Sequence, residues 1–278
     1  MTTRAFKYQA PLQGVRVLEV ANWLAAPAAG ALLADLGADV IKVEPPGGDV
    51  FRGFLLSSMG YQHDFQGNYA FELDNRGKRS VTVALDKPGG PALVRRMSER
   101  ADVFLTNLIH QRCVRFGLTY EDVCAANPRI VYTAFSGYGT RGPDLNRPGF
   151  DYAAFWARAG LMGVLGEPPS PPPLSRAGQG DHTTALNILA AVLAGLRLRD
   201  QTNESQHVEV TLQGTGMYTI ATDLQAALIA REQPRRHDRT RPPNPIWNSY
   251  RCRDGEWLLL VMPQPDPYWP RFCAMIGQ

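Results

Sequence analysis

Hydrophobic and polar positions along the first half of the chain alternate between two periods. Residues 15–20 (VRVLEV) form a short β-branched run, and residues 27–36 (PAAGALLADL) an Ala/Leu-rich helical one. Proline is acceptable in the first turn of that helix, and Gly37 ends it. Residues 38–44 (ADVIKVE) read as a second strand. Strand, helix and strand within so short a span predict a βαβ unit, hence parallel strands. The alternation continues with a strand at 80–85 (SVTVAL), a helix at 91–100, a strand at 101–107 (ADVFLTN), a helix at 119–126 and a strand at 129–135 (RIVYTAF). This predicts an open, doubly wound α/β domain, whose ligands bind beyond the carboxyl ends of the strands. Three such ends run into loops, ANWLAAP, NLIHQR and SGYGTRGPD, which should converge on one crevice.

Farther on, residues 151–163 carry a helical pattern and 167–173 (EPPSPPP) a proline-rich loop. Residues 178–196 (GQGDHTTALNILAAVLAGL) predict a helix of about 18 residues, residues 207–212 a strand, and the chain then reads as helix to about Arg231. Residues 231–241 (REQPRRHDRTR) read as a solvated linker, with a patch for phosphate-bearing ligands as the alternative. NSYRCRDGEWLLLVM follows as a hairpin turning at Asp254-Gly255, and the segment from Tyr268 to Gln278 is helical, ending without a cap.

Composition narrows the function classes. With 278 residues, 44% hydrophobic and 20% charged, the chain is long enough to bury a sizeable core. Its 26 Gly and 22 Pro point to many tight turns. A net charge of +3 without a dense Lys/Arg run gives no case for nucleic acid. Cys113, Cys124, Cys252 and Cys273 show neither CxxC nor metal spacing and read as free thiols in a reducing compartment. The N-terminal residues 1–14 carry no apolar leader core, and no run approaches the roughly 18 apolar residues of a membrane span. The expectation is a cytoplasmic protein with no membrane, metal or nucleic-acid partner.

The common site motifs are missing. The first βα turn holds Gly30 alone where a dinucleotide site needs G-x-G-x-x-G, and there is no P-loop, HExxH or GxSxG. NRGKRS (residues 75–80) reads as a solvated basic turn, His110 and His182 as loop histidines beside the crevice, and Asp151 as an early-turn helix residue favoured by the dipole. Asp181 carries two readings. As an N-cap it would accept a backbone N–H two or three residues on and stabilise the helix by ~1 kcal/mol, although Thr184 supplies no capping box. As a nucleophile it would be held ionised by the helix dipole and nearby amides, and Gly178 and Gly180 would leave its approach face open.

The ordered motifs resemble the class III CoA-transferases, the family of formyl-CoA and carnitine CoA-transferases and α-methylacyl-CoA racemases. The similarity runs through PLQGVRVLEVANWLAAPAAGALLADLGADVIKVEPPGGD, NRGKRSVTVALDKPGG, RFGLTYEDVCAANPRIVYTAFSGYGTRGP, RPGFDYAAFWARAGLMGVLGEPP and GDHTTALNILAAVLAGL, almost the whole chain. It implies a Rossmann-like large domain, a smaller second domain and an interlocked homodimer. On that pattern residues 1–230 are the CoA-binding large domain, 231–243 the linker and 244–278 the start of a small domain that reads as truncated. The resemblance further implies an acyl-CoA:carboxylate CoA-transferase in which Asp181 attacks the thioester and forms aspartyl anhydride and aspartyl-CoA intermediates. CoA and acyl-CoA would be substrates, with no bound cofactor and a carboxylic acid as the other partner.

CoA contacts in the family map onto Trp23, Leu24, Leu85, Asn107, Leu108 and Arg115, the last a cation suited to a phosphate. Tyr138 matches an active-site tyrosine of some members. Three departures stand out: Leu24 replaces the Gln of formyl-CoA transferase, Pro45 a basic residue, and Ser136 a lysine near the adenine. They argue against the formyl/oxalate pair, and the apolar Trp23, Leu24 and Phe150 suit a less polar acyl group. The racemase branch uses a His in a GHD triplet, which is Gly149-Phe150-Asp151 here. Phenylalanine exchanges no proton, so a racemase-like enzyme would need His182 instead, and a non-catalytic CoA-binding relative is the remaining alternative.

Overall fold

The computed structural model describes residues 10–54 and 67–278. Most of the N-terminal residues 1–14, read as carrying no leader core, therefore lie outside the described residues. Two compact units emerge, Met1–Gly160 with Ser175–Ala221 and Leu161–Leu174 with Thr222–Gln278.

The first unit is built on six parallel strands: β1 (Arg16–Val20), β2 (Asp39–Glu44), β3 (Arg79–Thr82), β4 (Val103–Thr106), β5 (Val131–Ser136) and β6 (Gln206–Thr211). Their order, β3-β2-β1-β4-β5-β6, is that of a doubly wound dinucleotide-binding sheet, reversing direction between β1 and β4. β4 is buried at all four residues, as expected when helices cover both faces of a parallel sheet. The core lies between sheet and helices around Leu18, Phe104, Leu118, Ile130 and Tyr132, with Phe104 and Tyr132 stacked at 5.3 Å.

Helix α1 (Ala25–Asp35) begins two residues before the proline expected to open it and buries its alanines. Its Gly30 has a steric reason, since a Cβ there would lie 2.0 Å from Glu19 Oε2. β3 ends at Thr82 rather than Leu85, which frees Val83–Leu85 to form a loop. Helices α2 (Tyr69–Asn75), α3 (Gly90–Ser98), α4 (His110–Phe116) and α5 (Tyr120–Ala126) follow in turn. The second half of the segment read as the NLIHQR loop is thus the start of helix α4, which ends at Gly117 in the left-handed region. α5 carries a full capping box between Thr119 and Asp122.

Residues Asp151–Arg158 form a π-helix, a wide turn frequent at functional sites. Helix α6 (Leu161–Val164) opens the second unit. Helix α7 (Gln179–Thr202) runs 24 residues, one turn and more beyond the expected end, where buried Arg199 pairs with Asp102 at 2.8 Å and Asp200 at 2.8 Å. The single helix expected after β6 is two, α8 (Leu212–Thr219) and α9 (Ala221–Ala230), broken at Ile220. In the second unit β7 (Ser249–Arg251) and β8 (Trp257–Leu259) form the expected antiparallel hairpin. Helix α10 (Trp269–Met275) lies within the segment read as helical, and Gly277 follows it at φ +78°.

Candidate active site

Two cavities open at the carboxyl ends of the strands, separated by the turns after β1 and β4. The larger, 460 Å³, is lined by Asn22, Glu44, Leu85, Lys87, Leu108 and Arg112 among others. The smaller, 170 Å³, is lined by the next residues of those same turns, Trp23, Leu24 and Asn107, together with Phe150, Asp151 and Asp181. Consecutive pairs, Asn22/Trp23 and Asn107/Leu108, therefore face neighbouring cavities. Asn107 ties the turns together: its Oδ1 accepts the Asn22 N–H at 3.1 Å and its Nδ2 donates to the Asn22 carbonyl at 2.7 Å. Both ends of its amide take part in that clamp, which makes it a positioning residue.

A buried ionic cluster fixes the wall between them. Lys42 reaches Glu19 and Asp49, each at 2.9 Å, and Lys78 reaches Glu19 at 2.8 Å, all four side chains nearly inaccessible. Burial pulls the Lys42 ammonium down, but Glu19 and Asp49 together lift it above its ordinary value. At Lys78 burial prevails over Glu19, and its pKa falls. Asp49 Oδ1 also accepts the N–H of Phe51 at 3.0 Å and of Trp23 at 3.1 Å. Trp23 stands at φ +67°, a left-handed conformation that costs a side-chain-bearing residue ~1–2 kcal/mol. The strained backbone places its ring against Phe51, Phe54 and Phe150, with centroids 5.7–6.1 Å apart.

Farther along, Gly137 and Gly149 lie back to back, so close that a Cβ on Gly149 would come 2.3 Å from the Gly137 Cα. This contact draws the start of the π-helix onto the end of β5 and aims Asp151 at α7. The helix N-cap is Gly178, left-handed at φ +73° and without a side-chain cap, and Asp181 lies three residues in. The cap expected of Asp181 is supplied instead by Asp151, whose Oδ2 accepts the Gly180 N–H at 3.2 Å. A Cβ on Gly180 would collide with that carboxylate at 2.2 Å.

Relieved of capping, Asp181 lines the cavity. Its carboxyl is pushed up to about 7 by burial and then by the neighbouring Asp151 charge, with His182 opposing. Burial and a like charge thus work against the ionised form that the helix dipole is expected to favour. Burial also pushes Asp151 up, while the N–H groups of Gly180 and Gly178 hold it down. His182 bonds buried Asp74 at 3.0 Å, which raises its pKa above the ordinary histidine value. His182 is not among the described residues lining the 170 Å³ cavity.

The remaining expected residues fall elsewhere. Leu85 and Leu108 line the larger cavity, where Arg112 and Lys87 supply the cations. Arg115, one turn along α4, is exposed and lies over the Phe116 ring. Tyr138 packs beneath Arg147 and lines neither cavity. His110 lines a separate 260 Å³ cavity beside Cys113 and His207. No group of three or more metal-ligating side chains occurs among the described residues, and no helix there is long and apolar enough to cross a membrane.

Comparison with known proteins adds sequence relatives to this geometry. The sequence model of the family described as CoA-transferase family III matches residues 12–278. The chain is 35% identical over 271 residues to cinnamoyl-CoA:phenyllactate CoA-transferase of Clostridium sporogenes, covering 95% of this chain and 64% of that protein. It is 34% identical to succinate–glutarate CoA-transferase of Agrobacterium fabrum, covering 96% of this chain and 66% of the other. The chain thus spans just under two thirds of these relatives' length. A crystal structure of a CAIB/BAIF family protein from Brucella suis superposes with a TM-score of 0.82 at 30% identity, over 97% of this chain and 70% of that one.

Proposed function

The chain belongs to CoA-transferase family III, and on that premise we propose that it moves coenzyme A from an acyl-CoA to a carboxylic acid through a covalent intermediate on Asp181. The observation that carries this reading is the position of Asp181. Its carboxylate lies on the wall of an apolar cavity, next to the cavity that suits CoA, and has no capping duty to perform. CoA occupies the larger cavity, with Lys87 and Arg112 near its phosphates, as cations suited to phosphate oxygens. The thioester end reaches past the Asn22/Trp23 turn to Asp181.

Ionised Asp181 attacks the thioester carbonyl; the C–S bond breaks, CoA thiolate leaves and a mixed anhydride forms. The thiolate attacks the aspartyl carbonyl, releases the donor acid as carboxylate and leaves an aspartyl-CoA thioester. The acceptor carboxylate displaces the thiolate to give a second anhydride. Attack by the thiolate on the acceptor carbonyl then yields the new acyl-CoA and frees Asp181. No proton or electron is gained or lost over the cycle. Splitting the exchange into acyl transfers of similar difficulty is the advantage of a covalent route.

The surroundings of Asp181 favour acylation. Burial and Asp151 disfavour its charge, and acylation removes that charge, so each covalent intermediate relieves the repulsion between the two carboxylates. The raised pKa also makes the ionised fraction a more basic nucleophile. The homodimer remains part of the proposal; α9 supports it by burying no residue and leaving Leu228 and Ile229 exposed.

Mass spectrometry of the protein after incubation with acyl-CoAs tests the mechanism. Hydroxylamine quenching should convert Asp181 alone to the hydroxamate, and Asp181→Ala should fold yet give no adduct and no exchange. Full exchange activity in that variant would overturn the reading.

A further inference from the structure

The larger question left by the transferase reading is which acids the cavity at Asp181 accepts, and its lining is informative. Trp23, Phe51, Phe54, Phe135, Phe150 and Leu212 supply its apolar surface. Its other polar side chains engage the fold: Asn107 bonds the Asn22 backbone, the Tyr152 hydroxyl donates to the Ser175 carbonyl at 3.2 Å, and Asp151 Oδ2 accepts the Gly180 N–H, while its Oδ1 is buried without a hydrogen-bond partner. Among the described residues, no Lys, Arg or His lines it. The volume of 170 Å³ is close to that of the apolar protein cavity of about 150 Å³ that takes up benzene.

Resting on the transferase reading, we propose that the acid handled at Asp181 is an apolar monocarboxylate whose chain is about the size of a phenyl ring or a branched alkyl group, and that dicarboxylates are excluded. The reacting carboxylate is consumed at Asp181. A second carboxylate on the same acid would have to enter an aromatic wall, next to the Asp151 charge and, among the described residues, with no cation to meet it. A buried charge is tolerated only when paired, so a four- or five-carbon diacid would have to leave its distal carboxylate unpaired or stay out. An aryl or branched chain instead finds ring edges and faces, the geometry in which aromatic groups pack well. The strain at Trp23 fits this role: Asp49 holds that backbone left-handed, and the conformation places the indole against Phe51, Phe54 and Phe150.

The test follows exchange by chromatography and mass spectrometry, with 3-phenylpropionyl-CoA as donor and 4-methylpentanoate or glutarate as acceptor. An apolar pocket rejects an added polar group by a factor on the order of 100, and the expected ratio of kcat/KM is of that order in favour of 4-methylpentanoate. Glutarate used within tenfold of 4-methylpentanoate, or preferred to it, overturns the proposal while leaving the transferase reading intact. No exchange with either acid and no hydroxamate at Asp181 overturns the transferase reading, and this proposal with it. Phe150→Arg places a guanidinium on the lining at a half-exposed position that tolerates it. It should raise the glutarate to 4-methylpentanoate ratio at least tenfold, and an unchanged ratio in a folded Phe150→Arg protein overturns the role given to the lining.

Discussion

Replacing Asp181 with asparagine removes the nucleophile and should make the protein more stable at neutral pH. In the folded chain the carboxyl is raised from its ordinary 3.8 to about 7 by burial first and the Asp151 charge second. The folded state therefore binds a proton that the unfolded chain has released, and stability falls as pH climbs from about 4 to about 7. At 1.36 kcal/mol for each tenfold change in proton affinity, the full rise corresponds to ~4 kcal/mol. Water entering the cavity screens part of this, so ~2 kcal/mol is the working figure. Asparagine keeps the shape and carries no charge. Urea unfolding should show Asp181→Asn more stable than the parent by ~2 kcal/mol at pH 8, with the gain shrinking as pH falls and nearly gone by pH 4. A helix cap predicts otherwise: Asp and Asn cap about equally well and the pair would be indistinguishable at every pH. An Asn variant that is neutral or destabilised at pH 8 would refute the claim that burial and Asp151 strain this carboxylate.

Two further outcomes follow from the same geometry. The pH profile of kcat/KM should rise through about 7 as Asp181 ionises, and Asp151→Asn should move that limb to lower pH by removing the like charge; a limb that stays put in the variant separates the two carboxylates. Lys42→Met leaves Asp49 buried and unpaired, while Glu19 keeps Lys78. It should cost ~3–5 kcal/mol and lower the thermal transition by roughly 10 °C in calorimetry, and a loss below ~1 kcal/mol would show that water reaches the cluster.

Much of the frame can be read from the chain itself, because parallel strands buried on both faces leave continuous apolar runs such as VRVLEV and RIVYTAF. Helix α4 escapes that reading for a physical reason. Only Cys113 and Phe116 of its seven residues are buried, too few to write a 3.6-residue stripe, and the one available signal was Gly117 at its end. The site was less legible than the frame. The motif singles out Asp181, yet its local surroundings point to a cap, and the residue whose side chain bonds the first turn of α7 lies 29 positions before Gly180. Local sequence patterns do not encode such a contact. Phe51 and Phe54 belong to a short irregular stretch around a 3₁₀ turn (Val50–Gly53) with no period to mark them. The charge state of Asp181 is a collective property of everything that shields it from water, so it became visible only once the elements were assembled.

Heat should act unusually on the Lys42–Glu19–Lys78–Asp49 cluster. Its two positive and two negative charges stand nearly free of water, and hydration of ions becomes less favourable as temperature rises. The cost of keeping these groups out of water therefore shrinks on warming. Added salt, which weakens exposed ion pairs, penetrates little to buried ones. The segment that carries Asp49 and orients Trp23 should then keep its place in hot or saline solution after surface pairs such as Arg79–Asp39 have loosened, and amide exchange at Trp23 and Phe51 should be among the slowest in the sheet-bearing unit as the protein is warmed.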